Sequence, residues 1–184
     1  MIIKNNQDRK WEILGSEYLI KRPWLTARKD HVRMPSGVEN EEYYVLEYPD
    51  WVNVIAITDD GFFLMERQYR HGIQQTCYEL CAGVCEKGET PLQAAQRELY
   101  EETGFGGGEW SLFMEVCPNP SSMTNTCYCF LALHVKQIST QHLEATEDIS
   151  VQKLSLEEVR YLLNSNQFKQ ALMVAPLWKY MTML

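Results

Sequence analysis

The segment from Thr90 to Gly104 constrains this chain more than any other. Thr90 is a good N-cap, Pro91 suits the first helical position, and Gln93 completes a capping box with Thr90. Gly104 supplies a left-handed stop. These signals predict a helix between them, with Leu92, Ala95 and Leu99 at helical spacing as its buried stripe. Glu98, Glu101 and Glu102 fall on another face, with Arg97 beside them. Residues three and four apart on a helix point the same way, so like charges there cost about 0.2–0.5 kcal/mol per pair. They also crowd the C-terminal end, where the helix dipole favours cations. A helix that keeps such a cluster needs a compensating cation. Carboxylates of this kind suit Mg²⁺, which takes one or two of them and keeps positions open for water and substrate phosphate.

The remainder of the chain reads as strands and turns around that helix. Val32-Arg33-Met34 and Tyr43-Tyr44-Val45-Leu46 flank a turn at Pro35-Ser36-Gly37, which predicts an antiparallel hairpin. Pro49-Asp50 marks a boundary. The run Val52 to Thr58 is β-branched and ends at Asp59-Asp60-Gly61, a hairpin turn, with Phe62 to Tyr69 as the returning strand. Further strands are expected at Glu109–Val116 and Thr126–Val135. Ser155-Leu156-Glu157-Glu158 is a second capping box, opening a helix to about Leu163, and a last helical segment follows from about Gln167, bent at Pro176.

Composition narrows the function. With 17 basic and 25 acidic residues in 184, the net charge is −8. Phosphate backbones require an excess of Lys and Arg, so a nucleic-acid partner is not expected. A hydrophobic content of 45% supports a packed core rather than disorder. Apolar stretches fall far short of the roughly 20 residues that span a bilayer. The opening Met1 to Lys10 lacks the apolar core of a signal peptide, so no membrane partner and a cytoplasmic location are expected. The six cysteines contain no Cys-x-x-Cys pair, so buried reduced thiols are expected rather than a structural zinc site.

Written out, Gly83 is followed by five residues and Glu89, then seven residues lead to Arg97-Glu98-Leu99-Tyr100-Glu101-Glu102-Thr103-Gly104-Phe105. The pattern G-x5-E-x7-R-E-U-x-E-E-x-G-U, with U apolar, resembles the Nudix box of the Nudix hydrolase superfamily at every specified position. Seven fixed residues at roughly 6–7% frequency each put chance agreement near one in a hundred million. The resemblance implies a Nudix α/β/α sandwich with a mixed sheet, preceded by a small N-terminal antiparallel β domain. It implies hydrolysis of a nucleoside diphosphate linked to another moiety, dependent on Mg²⁺ (or Mn²⁺). The metal ligands it implies are Glu98 and Glu102, with Glu101 assisting, and the Ala82 carbonyl. Gly83, Glu89, Arg97 and Gly104 would be structural, with Arg97 paired to Glu89 to hold loop against helix.

Several segments resemble the ADP-ribose pyrophosphatase (ADP-sugar diphosphatase) branch. Pro120 stands fifteen residues past Phe105, an offset characteristic of that branch. Arg22–Arg28 and Glu47–Val52 look like branch segments, and Arg67-Gln68-Tyr69-Arg70 precedes Tyr78-Glu79-Leu80-Cys81-Ala82-Gly83. Members usually read Glu-Leu-Pro-Ala-Gly there; Cys81 replaces the proline. The resemblance implies hydrolysis of ADP-ribose or a related ADP-sugar to AMP and a sugar phosphate. It further implies residues 1–49 as a β region that dimerises and completes the nucleotide pocket, residues 50–184 as the hydrolase domain, and a homodimer. Another NDP-sugar such as GDP-mannose, or a dinucleotide, is the alternative substrate. A non-catalytic Nudix domain that senses nucleotide sugar is the alternative of a different class. The branch places a water-orienting or general-base glutamate on a loop after the core strands, which here matches Glu144-Ala145-Thr146-Glu147-Asp148-Ile149. Glu147 is the first choice and Glu144 the second. Arg70 suits phosphate oxygens as a bidentate clamp. Glu79 is a candidate contact to substrate or metal, and Trp24 a candidate stacking surface for the base.

Overall fold

The computed structural model describes residues 9–184; the opening stretch read for a signal peptide lies largely outside them. The chain divides into two units, one ending at Tyr48 and adding Asn119–Thr124, the other formed by Pro49–Pro118 and Asn125–Leu184.

The first unit is an antiparallel sheet of β1 (Glu12–Arg22), β2 (Leu25–Arg33) and β3 (Glu39–Glu47), in that order. The expected turn at Pro35-Ser36-Gly37 joins β2 to β3, and Gly37 takes the positive φ of 86° that the turn needs. Asp30 is buried and satisfied: Ser16 Oγ donates to its Oδ1 at 2.6 Å and Arg28 Nε at 3.0 Å, while Arg28 also pairs with Glu47. Residues Asn119–Thr124 join this sheet through the Leu46 N–H, which donates to the Ser122 carbonyl at 2.7 Å.

The second unit holds β4 (Trp51–Thr58), β5 (Phe63–Arg70), β6 (Gln75–Glu79), β7 (Cys81–Val84), helix α1 (Pro91–Thr103), β8 (Phe105–Gly106), β9 (Glu109–Val116), β10 (Cys127–Gln137), β11 (Ile149–Leu154), and helices α2 (Leu156–Asn164) and α3 (Ala171–Met181). Among the described residues its strands form one mixed sheet, β11-β5-β4-β10-β8, with β6 on β5, β7 on β4 and β9 on β10. Only β4 and β10 run parallel among these pairs; the others are antiparallel.

Alternation along β4 feeds two cores. Val52, Val54 and Ala56 point to the side of α1 and meet Ala94, Ala95 and Leu99 there. Ile55 and Ile57 point to the opposite side, where Val159, Leu163, Met173 and Leu177 of α2 and α3 cover them. A strand buried on both faces reads as a continuous apolar run, as Val52 to Ile57 nearly does. On β5, Leu64 belongs to the α1 side and Met65 to the other. The result is a mixed sheet between helical layers, as the sequence implied.

Helix α1 matches its sequence signals. Thr90 Oγ1 accepts from the Gln93 N–H at 3.3 Å, the Gln93 side chain returns to the Thr90 N–H at 2.9 Å, and Gly104 sits at φ 74°. Its buried face is corrected, however. Leu92 is 38% exposed, and burial along the helix begins only at Ala94. The buried face runs along Ala94, Ala95, Glu98, Leu99, Glu102 and Thr103, so two of the glutamates share the packed side instead of occupying a separate face. Two further boundaries differ. β11, a strand beyond those expected, stands between the Glu144–Asp148 loop and the helix capped by Ser155. The last helix starts at Ala171, with Pro176 buried inside it.

All six cysteines are unpaired, and Cys77, Cys81, Cys127 and Cys129 are buried. No helix among the described residues is long and apolar enough to cross a membrane.

Gly104 tests the helix stop. A Cβ there would collide with the backbone of Ser139 and Thr140, on top of the left-handed strain. Gly104→Ala is expected to lower unfolding stability by about 2 kcal/mol or more. Urea denaturation followed by circular dichroism measures it; a loss under roughly 0.5 kcal/mol would contradict the assigned role.

Candidate active site

Two arginines organise the charged residues around the start of α1. Arg97 makes five contacts. Its Nε and Nη2 donate to the two oxygens of Glu89 at 2.8 and 3.0 Å, and Nη2 also donates to the Val84 carbonyl at 2.9 Å. Nη1 donates to Glu98 Oε1 at 2.8 Å and to Glu101 Oε2 at 3.1 Å. One guanidinium thus ties the end of β7, the Glu86–Glu89 turn and the helix together. The Glu86 N–H donates to Glu89 Oε2 at 3.0 Å, closing that turn. Arg70 pairs with Glu79 through two bonds of 2.8 and 2.5 Å, leaving the arginine half-exposed and the carboxylate buried.

Glu98 and Glu102 lie one helical turn apart and are both buried, whereas Glu101 is half-exposed. Glu102 Oε2 accepts from the Ala82 N–H at 3.0 Å, which fixes the carboxylate against β7. Glu98 reaches the same strand at Gly83, where an added Cβ would run into its carboxylate. Glycine at 83 is therefore required by proximity, and its φ does not enter the argument.

Burial sets the protonation of this group. It pushes the Glu98 carboxyl above the usual range, against the pull of Arg97. Glu102 is pushed up to about 7, chiefly by burial, with the charges of Glu98 and Glu147 adding and the Cys81 and Ala82 hydrogen bonds opposing. Glu66, not among the residues expected at the site, is almost wholly enclosed. Burial raises its pKa well above normal, and the neighbouring charges of Glu102 and Glu79 add to that. Its signal lay in the sequence: an acid closing the run Phe62-Phe63-Leu64-Met65, in phase with Leu64 and so turned toward α1.

The loop carrying Glu144 and Glu147 is held over the C-terminal end of α1. Gln141 Nε2 donates to the Glu102 carbonyl at 2.7 Å and the His142 N–H to the Glu101 carbonyl at 2.8 Å. Those carbonyls are among the last four of the helix, which have no partner within it. His142 also stacks on Tyr100, with ring centroids 5.2 Å apart. Within the loop, Glu147 Oε2 accepts from the Glu144 N–H at 2.8 Å. The charge of Glu147 acts on both Glu98 and Glu102.

A cleft of about 520 Å³ opens beside Ala82 and Gly83. Arg70 and Glu79 line it, and Lys169 and Gln170 border it where α3 begins. The second unit therefore brings together Glu98, Glu101, Glu102, Ala82, Gly83, Glu89, Arg97, Gly104, Glu79, Arg70 and the loop of Glu144 and Glu147. Trp24, 78% exposed, follows β1 in the first unit, and Pro120, also exposed, belongs to that unit as well.

Residues 47–175 match the NUDIX domain family model, and residues 11–46 match the model described as nucleoside diphosphate sugar hydrolase N-terminal domain. An ADP-ribose pyrophosphatase of Bacillus subtilis (strain 168) is 29% identical over 159 residues, covering 86% of this chain and 85% of that protein. An ADP-ribose pyrophosphatase of Mycobacterium tuberculosis is 31% identical over 133 residues, covering 71% and 63%. In three dimensions, a crystal structure of an ADP compounds hydrolase superposes with a TM-score of 0.84 at 23% identity, covering 98% of this chain and 97% of that one.

The raised Glu102 carboxyl links stability to pH in divalent-free buffer. The unfolded chain ionises this group near 4.5 and the folded chain near 7. Its stabilising contribution is full below about pH 4.5 and is lost as pH rises through about 7. The stability of the wild type relative to Glu102→Gln is expected to fall by on the order of 2 kcal/mol across that window. Urea titrations of both proteins at several pH values measure the difference; a pH-independent difference would contradict it.

Proposed function

The chain belongs to the Nudix family, and on that premise we propose that it hydrolyses the diphosphate bond of ADP-ribose or a close ADP-sugar, giving AMP and a sugar phosphate. The observation that carries this reading is the pairing of two matches in one chain. The complete box, with Glu98 and Glu102 buried against the Ala82–Gly83 strand, names the chemistry. The N-terminal match to a nucleoside diphosphate sugar hydrolase domain names the substrate class. The relatives called ADP-ribose pyrophosphatase support the ADP moiety.

The donor set fits a hard divalent cation. Glu98, Glu102 and the Ala82 carbonyl offer oxygen only, and Gly83 leaves them the space. When bound, Mg²⁺ or Mn²⁺ supplies neutralising charge to the diphosphate and makes water a better nucleophile. The rest falls to the chain itself. Arg97 holds Glu98 and Glu101 in place by spanning from Glu89 to both. Glu147 orients the attacking water and receives its proton at a carboxylate oxygen, a role that its charge coupling to Glu98 and Glu102 supports over Glu144. The cleft beside Ala82 takes one half of the substrate, with Arg70 turned to phosphate oxygens while Glu79 steadies its guanidinium. Trp24 and Pro120 are carried in this reading as nucleotide contacts, and the protein as a cytoplasmic homodimer.

The intact box favours an enzyme over a sensing domain, since the carboxylates that a binder could lose are all present. Purified protein with Mg²⁺ and a panel of ADP-ribose, GDP-mannose, other NDP-sugars and dinucleotides is expected to give the highest kcat/KM on ADP-ribose or a related ADP-sugar. No turnover of any panel member would defeat the enzymatic reading. Glu102→Gln is expected to lower kcat by about 10³-fold or more without loss of fold. Glu147→Gln is expected to cost about 10²–10⁴-fold, and Glu144→Gln less than roughly 10-fold. The reverse ranking of the last two would reassign the base.

A further inference from the structure

Beside Glu102 of the box lie two donors that the hydrolysis does not use, Glu66 and Cys81. Glu66 sits on β5 in phase with Leu64, so it faces α1 from within the sheet. It is 3% exposed, and its Oε1 is enclosed with no hydrogen-bond partner. Cys81, the first residue of β7, is 1% exposed. One donor atom each from Glu66, Cys81 and Glu102 lies within 4.8 Å of the other two. The nearby arginines are committed elsewhere: Arg70 pairs with Glu79, and Arg97 with Glu89, Glu98 and Glu101. Among the described residues neither Glu66 nor Glu102 has an ion-pair partner. A buried carboxylate with an orphaned oxygen, beside a second carboxylate and a thiol, calls for positive charge in the space between them.

We propose that Glu66, Cys81 and Glu102 form an inner cation site, which takes a borderline-soft divalent ion such as Zn²⁺ through one thiolate and two carboxylates. The donor chemistry sets the class of ion. Sulfur selects Zn²⁺ or Co²⁺ over Mg²⁺, whereas Glu98, Glu101 and the Ala82 carbonyl offer oxygen alone. The spacing suits one ion, since ligands held at about 2.0–2.3 Å lie within roughly 4.6 Å of one another. On binding, the Cys81 S–H bond gives way to a sulfur–metal bond and the proton leaves to solvent. Glu102 is then shared: it closes the inner site while its neighbour Glu98 faces Gly83, so the inner ion positions the carboxylate that the outer site depends on.

Cobalt tests this directly, because a carboxylate-only site gives no sulfur-to-cobalt charge transfer. The full-length protein is stripped with chelator, incubated with Co²⁺ until uptake stops, and freed of excess metal. A near-ultraviolet charge-transfer band is expected, displaced by Zn²⁺ and unaffected by excess Mg²⁺. The band is expected to vanish in Cys81→Ala, and Glu66→Gln is expected to weaken Co²⁺ binding at least tenfold, with both variants checked for folding by circular dichroism. No band in the wild type means that Glu66 and Glu102 merely share a proton, and overturns the proposal. A band that survives Cys81→Ala, or Co²⁺ affinity unchanged in Glu66→Gln, overturns it equally. Should Cys81→Ala not fold, the wild-type band and Glu66→Gln decide alone. The readout is spectral, so a band without turnover supports the inner site while defeating the hydrolase reading, and turnover without a band does the opposite.

Discussion

Four carboxylates, Glu66, Glu79, Glu98 and Glu102, are buried within one side of the sheet, and two arginines meet them. An ion taken out of water without a partner costs several kcal/mol, so this imbalance governs the architecture around it. Arg97 is the larger part of the answer. Its five donor contacts bind strand end, turn and helix into one piece, with Glu89 its strongest charge partner. Arg70 spends both of its paired donors on Glu79. The two carboxylates left over, Glu66 and Glu102, have no ion-pair partner among the described residues, and burial raises the pKa of both.

That concentration of charge is possible because the sheet divides its labour by parity. Alternate residues of β4 and β5 supply a conventional apolar core against α2 and α3, with Ile55, Ile57, Phe63 and Met65 fully packed. The other side carries Val52, Val54 and Leu64 against α1, and the same phase that buries Leu64 delivers Glu66. The apolar contacts around Leu99 hold α1 close enough for Glu98 and Glu102 to touch β7, each buried leucine being worth about 1.5–3 kcal/mol. The C-terminal end of α1 then does a second job. Its unpartnered carbonyls capture Gln141 and His142, and so hold the loop that bears Glu147 over the site.

Much of this was legible in the residues. Both capping boxes, the Gly104 stop, the Asp59-Asp60-Gly61 turn and the strand at Glu109–Val116 are local chemistry and stand where the sequence put them. The Arg97–Glu89 pair stands as the resemblance to the Nudix box implied. The exposure of Leu92 is not written in its spacing, because helical periodicity says nothing about how far a helix is covered along its length. β11 is not legible locally, because Ile149 to Leu154 pairs with β5, a partner some eighty to ninety residues distant in the chain. An acid at the end of an apolar strand, such as Glu66, acquires meaning only when its phase is set against the helix that covers it.

By itself, the sequence determined the unit of chemistry: a capped helix, a glycine-led loop and the glutamates between them, all set by interactions within about twenty residues. Tertiary structure decided which of those glutamates lose water, since burial of Glu98 and Glu102 requires β7 and the sheet beneath them. It also decided that Glu66 and Cys81 join them, from two strands that no local spacing connects to the helix. Backbone capping and turn preferences act at short range and are written in neighbouring residues. Desolvation and the summed field of several charges depend on what the fold brings into the same few ångströms, and only the folded chain fixes that.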